Sequence, residues 1–268
     1  METVSILTPT FNSEKTLDCW ADSVFSQTVL PSEIICMDSQ SGDNTVGALK
    51  ELSKKSPVPL RVYSMQKSPM ALVRYELYRL ASSRWVFYFD SDDTADSTLL
   101  ETFLSGVTPG TTLVRTTGHR VLTPKGITVC RKRWAYHTVT AALYDSSSSL
   151  WDYLILREAL GKIQWKFDHH IGEDLYIVSQ LLVNPDTVSH VDALEYLYHS
   201  ECPNSLMAPI RDTEFTNWEV VFPVFDDLLE WYASALPPDL AEYCRLTLYR
   251  LFPGYFNKCQ GVQGGWVS

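Results

Sequence analysis

Trp85-Val86-Phe87-Tyr88-Phe89-Asp90-Ser91-Asp92-Asp93 runs from five apolar residues directly into three carboxylates. The apolar run reads as a buried strand, with the acidic turn at its carboxyl end. In open α/β sheets, ligands bind beyond that end of the strands. Asp90 and Asp92, two residues apart, can both reach a divalent cation, which takes hard oxygen ligands. Such a cation bridges the phosphates of a nucleotide and offsets charge on a leaving group. A calcium loop is the sharpest rival, because Asp90, Asp92, Thr94 and Glu101 fall at its first, third, fifth and twelfth positions. Ala95 stands where that loop needs glycine, and a strand rather than a helix precedes it. A solvated acidic turn with no ligand is the third reading.

Upstream, short apolar runs alternate with helix-like segments, the pattern of a mostly parallel sheet flanked by helices. Val4 to Leu7 is expected as a strand stopped by Thr8-Pro9, since proline cannot donate to a ladder. Leu17, Trp20, Val24 and Phe25 share one face of a helix expected over 15–27. Glu33 to Met37 reads as a second strand ending at Asp38. A polar turn then leads into a helix near 45–52, with Asp43 or Asn44 as its cap. Leu60 to Tyr63 is the third strand and Met70 to Ala81 the third helix. Thr8, Asp38 and Asp90 therefore all sit at strand ends, and three polar turns should converge on one crevice.

Downstream, Thr111 to Thr116, Arg120 to Leu122 and Ile127 to Cys130 read as strands, with Pro124-Lys125-Gly126 turning between the last two. A helix is expected from Gly172 or Glu173, a strand over Glu195 to His199, and two helices over 212–232 and 240–251.

Bulk properties narrow the function. The 268 residues suit one large α/β domain or one domain with an appendage. A formal charge of −10 argues against a sequence-independent grip on nucleic acid, and the short cluster Arg131, Lys132 and Arg133 reads as solvated surface. Six scattered cysteines form no CxxC pair and read as reduced, mostly packed thiols. No apolar run is long enough to span a membrane and the first residues lack a signal-peptide pattern. The expected location is cytoplasmic, at most peripheral to a membrane.

Four pieces match glycosyltransferase family 2 in order: Ile6-Leu7-Thr8-Pro9-Thr10-Phe11-Asn12, Ser23-Val24-Phe25-Ser26-Gln27-Thr28, Glu33-Ile34-Ile35-Cys36-Met37-Asp38, and Asp90-Ser91-Asp92-Asp93. Arg74 lies seven residues before Ala81 and Ala81 nine before Asp90, a spacing similar to that around the family's diphosphate-binding arginine. Gly172-Glu173-Asp174 resembles the family's Glu-Asp motif at the start of an acceptor-side helix. The resemblance spans about residues 4 to 206. It implies the GT-A (Rossmann-like) α/β fold, a mostly parallel central sheet flanked by helices, here with a C-terminal helical extension.

The resemblance also implies a division of labour. Residues 1–206 would be the catalytic domain, with 1–105 binding the nucleotide sugar and 106–206 the acceptor, and 207–268 would be the extension. Thr8, Pro9 and Thr10 would line the base and ribose pocket, with Asp38 helping to hold the nucleoside. Asp92 would be the main ligand to Mg or Mn, and Asp90, with Ser91 beside it, would sit against the ribose or the metal. Arg74 would pair with the diphosphate through its fork of donors. Asp174 would be the general base toward an acceptor hydroxyl on a carbohydrate or glycoconjugate, with Glu173 beside it, and the transfer would invert configuration.

Each role has a plainer counterpart: a paired helix residue for Arg74, a turn cap for Asp38, and a favourable helix dipole for Glu173-Asp174. Ser39 stands where many relatives carry a uracil-reading aspartate, so UDP, GDP and dTDP donors stay open. His199 falls near a family arginine that serves the diphosphate, although a lone histidine is more often structural. His169-His170 either line the acceptor cleft or lie on the surface. The apolar face Trp218 to Tyr232 is expected to pack on its own domain or in a homodimer. A sugar-phosphate nucleotidyltransferase is the alternative enzyme, but the turn after the first strand lacks its glycine-rich basic loop. A non-catalytic calcium or sugar-binding module is the alternative outside enzymes.

Overall fold

The computed structural model describes residues 2–131, 149–169, 171–200 and 221–260. A seven-stranded sheet forms the centre, in the order β10-β6-β9-β4-β1-β2-β3. Its strands are β1 (Val4–Thr10), β2 (Glu33–Ser39), β3 (Leu60–Met65), β4 (Trp85–Tyr88), β6 (Leu113–Thr116), β9 (Tyr153–Leu156) and β10 (Val188–Val191). Only β9 runs antiparallel to its neighbours β4 and β6. Helices α1 (Leu17–Phe25), α2 (Thr45–Lys55) and α4 (Leu99–Ser105) cover one face, where Trp20, Leu49 and Phe103 pack on Ile6 and Phe87. Helix α3 (Met70–Leu80) and the Glu173–Leu181 helix cover the other, where Val73, Leu77 and Ile177 pack on Leu7 and Ile35. Strands buried on both faces explain the unbroken apolar runs, and each fully buried Leu, Ile or Phe contributes roughly 1.5–3 kcal/mol.

Two expectations need correction. β1 does not stop at Thr8-Pro9 but continues to Thr10. In this parallel sheet, Leu7 bonds toward β4 while Val4 bonds toward β2, so Pro9 turns its missing N–H to the β4 side. The β1–β4 register ends at Leu7↔Tyr88, so nothing there requires the donor. Among the described residues the thiols are not mostly packed either: Cys36 and Cys244 are buried, Cys130 is half-buried, and Cys19 and Cys259 are exposed. Strand β9 had no reading at all. Asp43, not Asn44, accepts the Thr45 N–H at the start of α2.

A second sheet, ordered β5-β11-β7-β8, is built from β5 (Thr94–Ala95), β7 (Gly118–Thr123), β8 (Gly126–Arg131) and β11 (Tyr196–His199). β7 and β8 form the hairpin expected around Pro124-Lys125-Gly126. β5 follows the acidic turn directly and pairs with β11, which ties that turn to the second sheet. Beyond it, the Phe222–Ala235 and Pro238–Leu251 helices bury Phe225, Leu228 and Tyr232 against Tyr176. The expected 206/207 boundary lies outside the described residues, as do Lys132, Arg133, His170, Cys202 and Trp218.

Candidate active site

The three polar turns meet. After β1, Asn12 N–H donates to Ser41 Oγ at 2.8 Å and Ser13 N–H to Thr45 Oγ1 at 2.8 Å, joining the turn after β2. Ser13 Oγ lies 2.8 Å from Ser91 Oγ, joining the turn after β4. Asn12 and Gln40 adopt positive φ of 51° and 60°, as such tight turns require of a few residues. The expected convergence of strand ends is thus a hydrogen-bonded fact.

Within it, the donor-side residues are placed as follows. Thr8, Pro9 and Thr10 are buried in β1; Thr8 Oγ1 has no hydrogen-bond partner among the described residues, and Thr10 Oγ1 donates to Met37 O at 3.3 Å. Asp38 is buried and accepts from the N–H and hydroxyl of Ser41, the turn-capping geometry. Ser39 Oγ accepts the Ser68 N–H at 3.2 Å. Asp90 and Asp92 remain partly exposed at the lip of the turn.

Asp93 is the group that sequence reasoning left without a role. It is fully buried, accepting from Tyr196 Oη at 2.7 Å and from the His199 N–H at 2.8 Å. Burial, then the charges of Asp92 and Asp90, push its pKa well up, against the pull of those two donors. His199 in turn sets Nε2 2.9 Å from Thr94 Oγ1, and burial lowers its pKa. The partly exposed carboxylates of Asp90 and Asp92 offer the hard oxygens that a divalent cation such as Mg or Mn takes. Glu101, the last member of the calcium-loop register, lies in the first turn of α4 and accepts from Thr28 through Oε2 at 2.8 Å.

On the other face of the crevice, Arg74 of α3 is 4% exposed and meets three carboxylates. Its Nη1 lies 3.4 Å from Asp90 Oδ1, and its Nε donates to Glu173 Oε1 at 3.1 Å. Asp174 Oδ1 also lies 3.1 Å from Nε, but accepts no hydrogen bond among the described residues. Tyr88 Oη donates to Arg74 O at 2.9 Å, fixing the helix on the strand that carries the acidic turn. The Leu150 N–H donates to Asp174 Oδ2 at 3.3 Å. Burial raises the Asp174 pKa well above the carboxylate range, with Arg74 opposing and Glu173 and Asp90 reinforcing. Gly172, at φ 83°, makes the left-handed entry that aims Glu173 and Asp174 inward. Nothing in the sequence marked Leu150 or Tyr88 for these contacts.

His169 is buried, its Nε2 2.7 Å from Asp227 Oδ2 of the Phe222–Ala235 helix, so it links that helix to the loop rather than facing a cleft. Asp168, His169 and Asp227 bring ligand atoms within 4.8 Å of one another, but Lys166 Nζ already lies 2.9 Å from Asp227.

The same architecture occurs in solved structures. Staphylococcus aureus TarS 1–349 in complex with UDP-GlcNAc superposes at TM-score 0.73 with 16% identity, over 96% of this chain and 74% of that one. Mycobacterium tuberculosis glucosyl-3-phosphoglycerate synthase with Mn2+, UDP-glucose and phosphoglyceric acid superposes at 0.56 with 17% identity, over 78% and 76%. The architecture shared with these structures is the GT-A fold. The family model "Glycosyl transferase family 2" matches residues 5–134, just under half of the chain. Among curated relatives, a cholesterol galactosyltransferase of Borreliella burgdorferi is 24% identical over 97% of this chain and 70% of its own length. An Escherichia coli enzyme, UDP-Glc:alpha-D-GlcNAc-diphosphoundecaprenol beta-1,3-glucosyltransferase WfgD, is 33% identical over 38% of this chain and 40% of its own length.

Proposed function

We propose that the chain transfers a sugar from a nucleotide-sugar donor to an acceptor hydroxyl with inversion, and that Asp174 is the general base. One observation carries this reading: Arg74 contacts both Asp90 of the acidic turn and Asp174, so donor-side and acceptor-side carboxylates share one hollow. Asp174 Oδ1, without a hydrogen-bond donor among the described residues, keeps a lone pair for an incoming hydroxyl, and its raised pKa makes it a stronger base. Asp174 takes the acceptor proton as the acceptor oxygen bonds to the anomeric carbon. The bond from that carbon to the diphosphate oxygen breaks, and the nucleoside diphosphate leaves with the electron pair.

Asp92 and Asp90 would hold a divalent cation, Mn or Mg, which supplies charge stabilisation to the diphosphate. The structure of the M. tuberculosis enzyme with Mn2+ and UDP-glucose supports this. Donor binding falls to Thr8, Pro9, Thr10, Asp38, Arg74 and Ser91, with Ser39 and His199 as further contacts. UDP is favoured because both solved relatives are described with UDP-sugars. Residues 1–206 form the catalytic unit in this reading, and the exposed Tyr243 and Leu246 on the Pro238–Leu251 helix support a contact between copies. Sedimentation of the wild type against Leu246→Asp tests that contact.

The decisive experiment compares donor binding and transfer in Asp174→Asn across UDP, GDP and dTDP sugars. Donor affinity should persist while transfer drops by about 10²–10⁴-fold, the usual contribution of a positioned base. Equal loss of donor binding would reject the role.

A further inference from the structure

At the end of the sheet opposite the acidic turn lies an open cavity of about 800 Å³. Thr3, Tyr78, Ser83, Arg84, Arg157 and Lys162 line it. Three cationic side chains against one carboxylate, Glu158, give this hollow a positive balance that runs against the formal charge of −10. Arg84 rests on Glu2 at 2.9 Å and Lys162 on Glu158 at 2.7 Å, but these cations are 62% and 72% exposed, and such pairs exchange readily for another anion. Arg157 donates through Nε to Ser83 O at 3.0 Å and forms no ion pair among the described residues.

The cavity continues into a row of rings along the outer face of α3. Tyr78 lines the cavity and stacks on Trp165 at 6.0 Å; Trp165 meets Tyr75 at 5.2 Å, and Tyr75 meets Phe167 at 5.0 Å. Phe167 is 41% exposed, and Arg79 lies over Tyr75 at 5.8 Å. Tyr and Trp favour the layer between water and lipid, where an apolar body and a polar tip are both accommodated. Cations beside such rings meet anionic headgroups. A flat glycan platform fits less well, because the ring faces are covered by one another and by Arg79.

We propose that this face is a membrane-surface contact, with a lipid headgroup phosphate held among Arg84, Arg157 and Lys162 and the ring row seated in the interfacial layer. No helix among the described residues is long and apolar enough to cross a membrane, so the contact is peripheral. It does not depend on the catalytic reading, because none of its residues belongs to the crevice.

The test is flotation of the full chain with vesicles of phosphatidylcholine, alone and mixed with phosphatidylglycerol. Binding should require the anionic lipid and fall about fivefold for each charge removed in Arg157→Gln and in the fully surface Lys162→Gln. Phe167→Ser should weaken it independently. Melting curves identify any variant that has lost its fold, and Lys162→Gln decides the matter if Arg157→Gln has. Absence of vesicle binding, or binding indifferent to these changes, overturns the proposal. Binding of inorganic phosphate by a chain that does not bind vesicles also overturns it, since that makes the ligand a free anion.

Discussion

Arg74 Nε stands 3.1 Å from Asp174 Oδ1 but gives its single proton to Glu173, so Asp174 feels the charge without receiving the hydrogen bond. A buried carboxylate in that position is ionisable and still has an open lone pair. The arrangement suits a base better than a bidentate salt bridge would, because a fully paired carboxylate is a weaker proton acceptor.

Arg74→Met removes the cation shared by Asp90, Glu173 and Asp174. Stripping one partner from a buried ionic cluster costs roughly 3–5 kcal/mol, and urea unfolding at neutral pH should show it. The deficit should shrink in acid. Arg74 opposes the burial that raises the Asp174 pKa, so without it that carboxyl is raised further, and the variant loses stability as pH climbs through the widened window and regains it as pH drops. A pH-independent deficit would mean that packing, not charge, is what Arg74 supplies.

Asp93→Asn keeps the shape and lets the amide oxygen accept from His199 while the amide nitrogen donates to Tyr196. It removes a charge that burial, Asp92 and Asp90 all oppose. Measured with chelator present, the variant should gain stability over the wild type as pH rises above the ordinary carboxylate range. Tyr196→Phe should do the reverse, costing about 1–3 kcal/mol by leaving Asp93 short of a donor.

Gly172→Ala forces a side chain into φ 83°, 3.3 Å from Val224 Cγ2 and 3.4 Å from Val221 Cγ1. The left-handed strain alone costs about 1–2 kcal/mol. Thermal denaturation should register it, and turnover should fall beyond the folding loss because Asp174 is two residues on.

Asp92→Asn and chelation should each lower donor affinity and turnover, with manganese restoring the chelated wild type but not the variant. Full activity in chelator would remove the cation from the reaction.

Much of the site was legible. The apolar runs, the polar turns and Gly172 are local signals, and they put Thr8, Asp38, Asp90 and the Glu173-Asp174 pair where the structure has them. What was missed is non-local or too short to show a period. Tyr153–Leu156 is four apolar residues, indistinguishable from a helix fragment, and only insertion between β4 and β6 makes it a strand. Pro9 looked like a strand stop because its open side depends on where β4 ends.

The chain's own order of residues determined that carboxylates would stand at the ends of strands, since side-chain period, turn chemistry and proline geometry act over a few neighbours. Which cation meets which carboxylate was decided by the tertiary structure alone. Arg74 reaches Asp90 across 16 residues and Glu173 across 99, and no local rule sees such separations. Burial completes the result: excluding water around these groups is what raises Asp93 and Asp174, and burial is a property of the assembled layers.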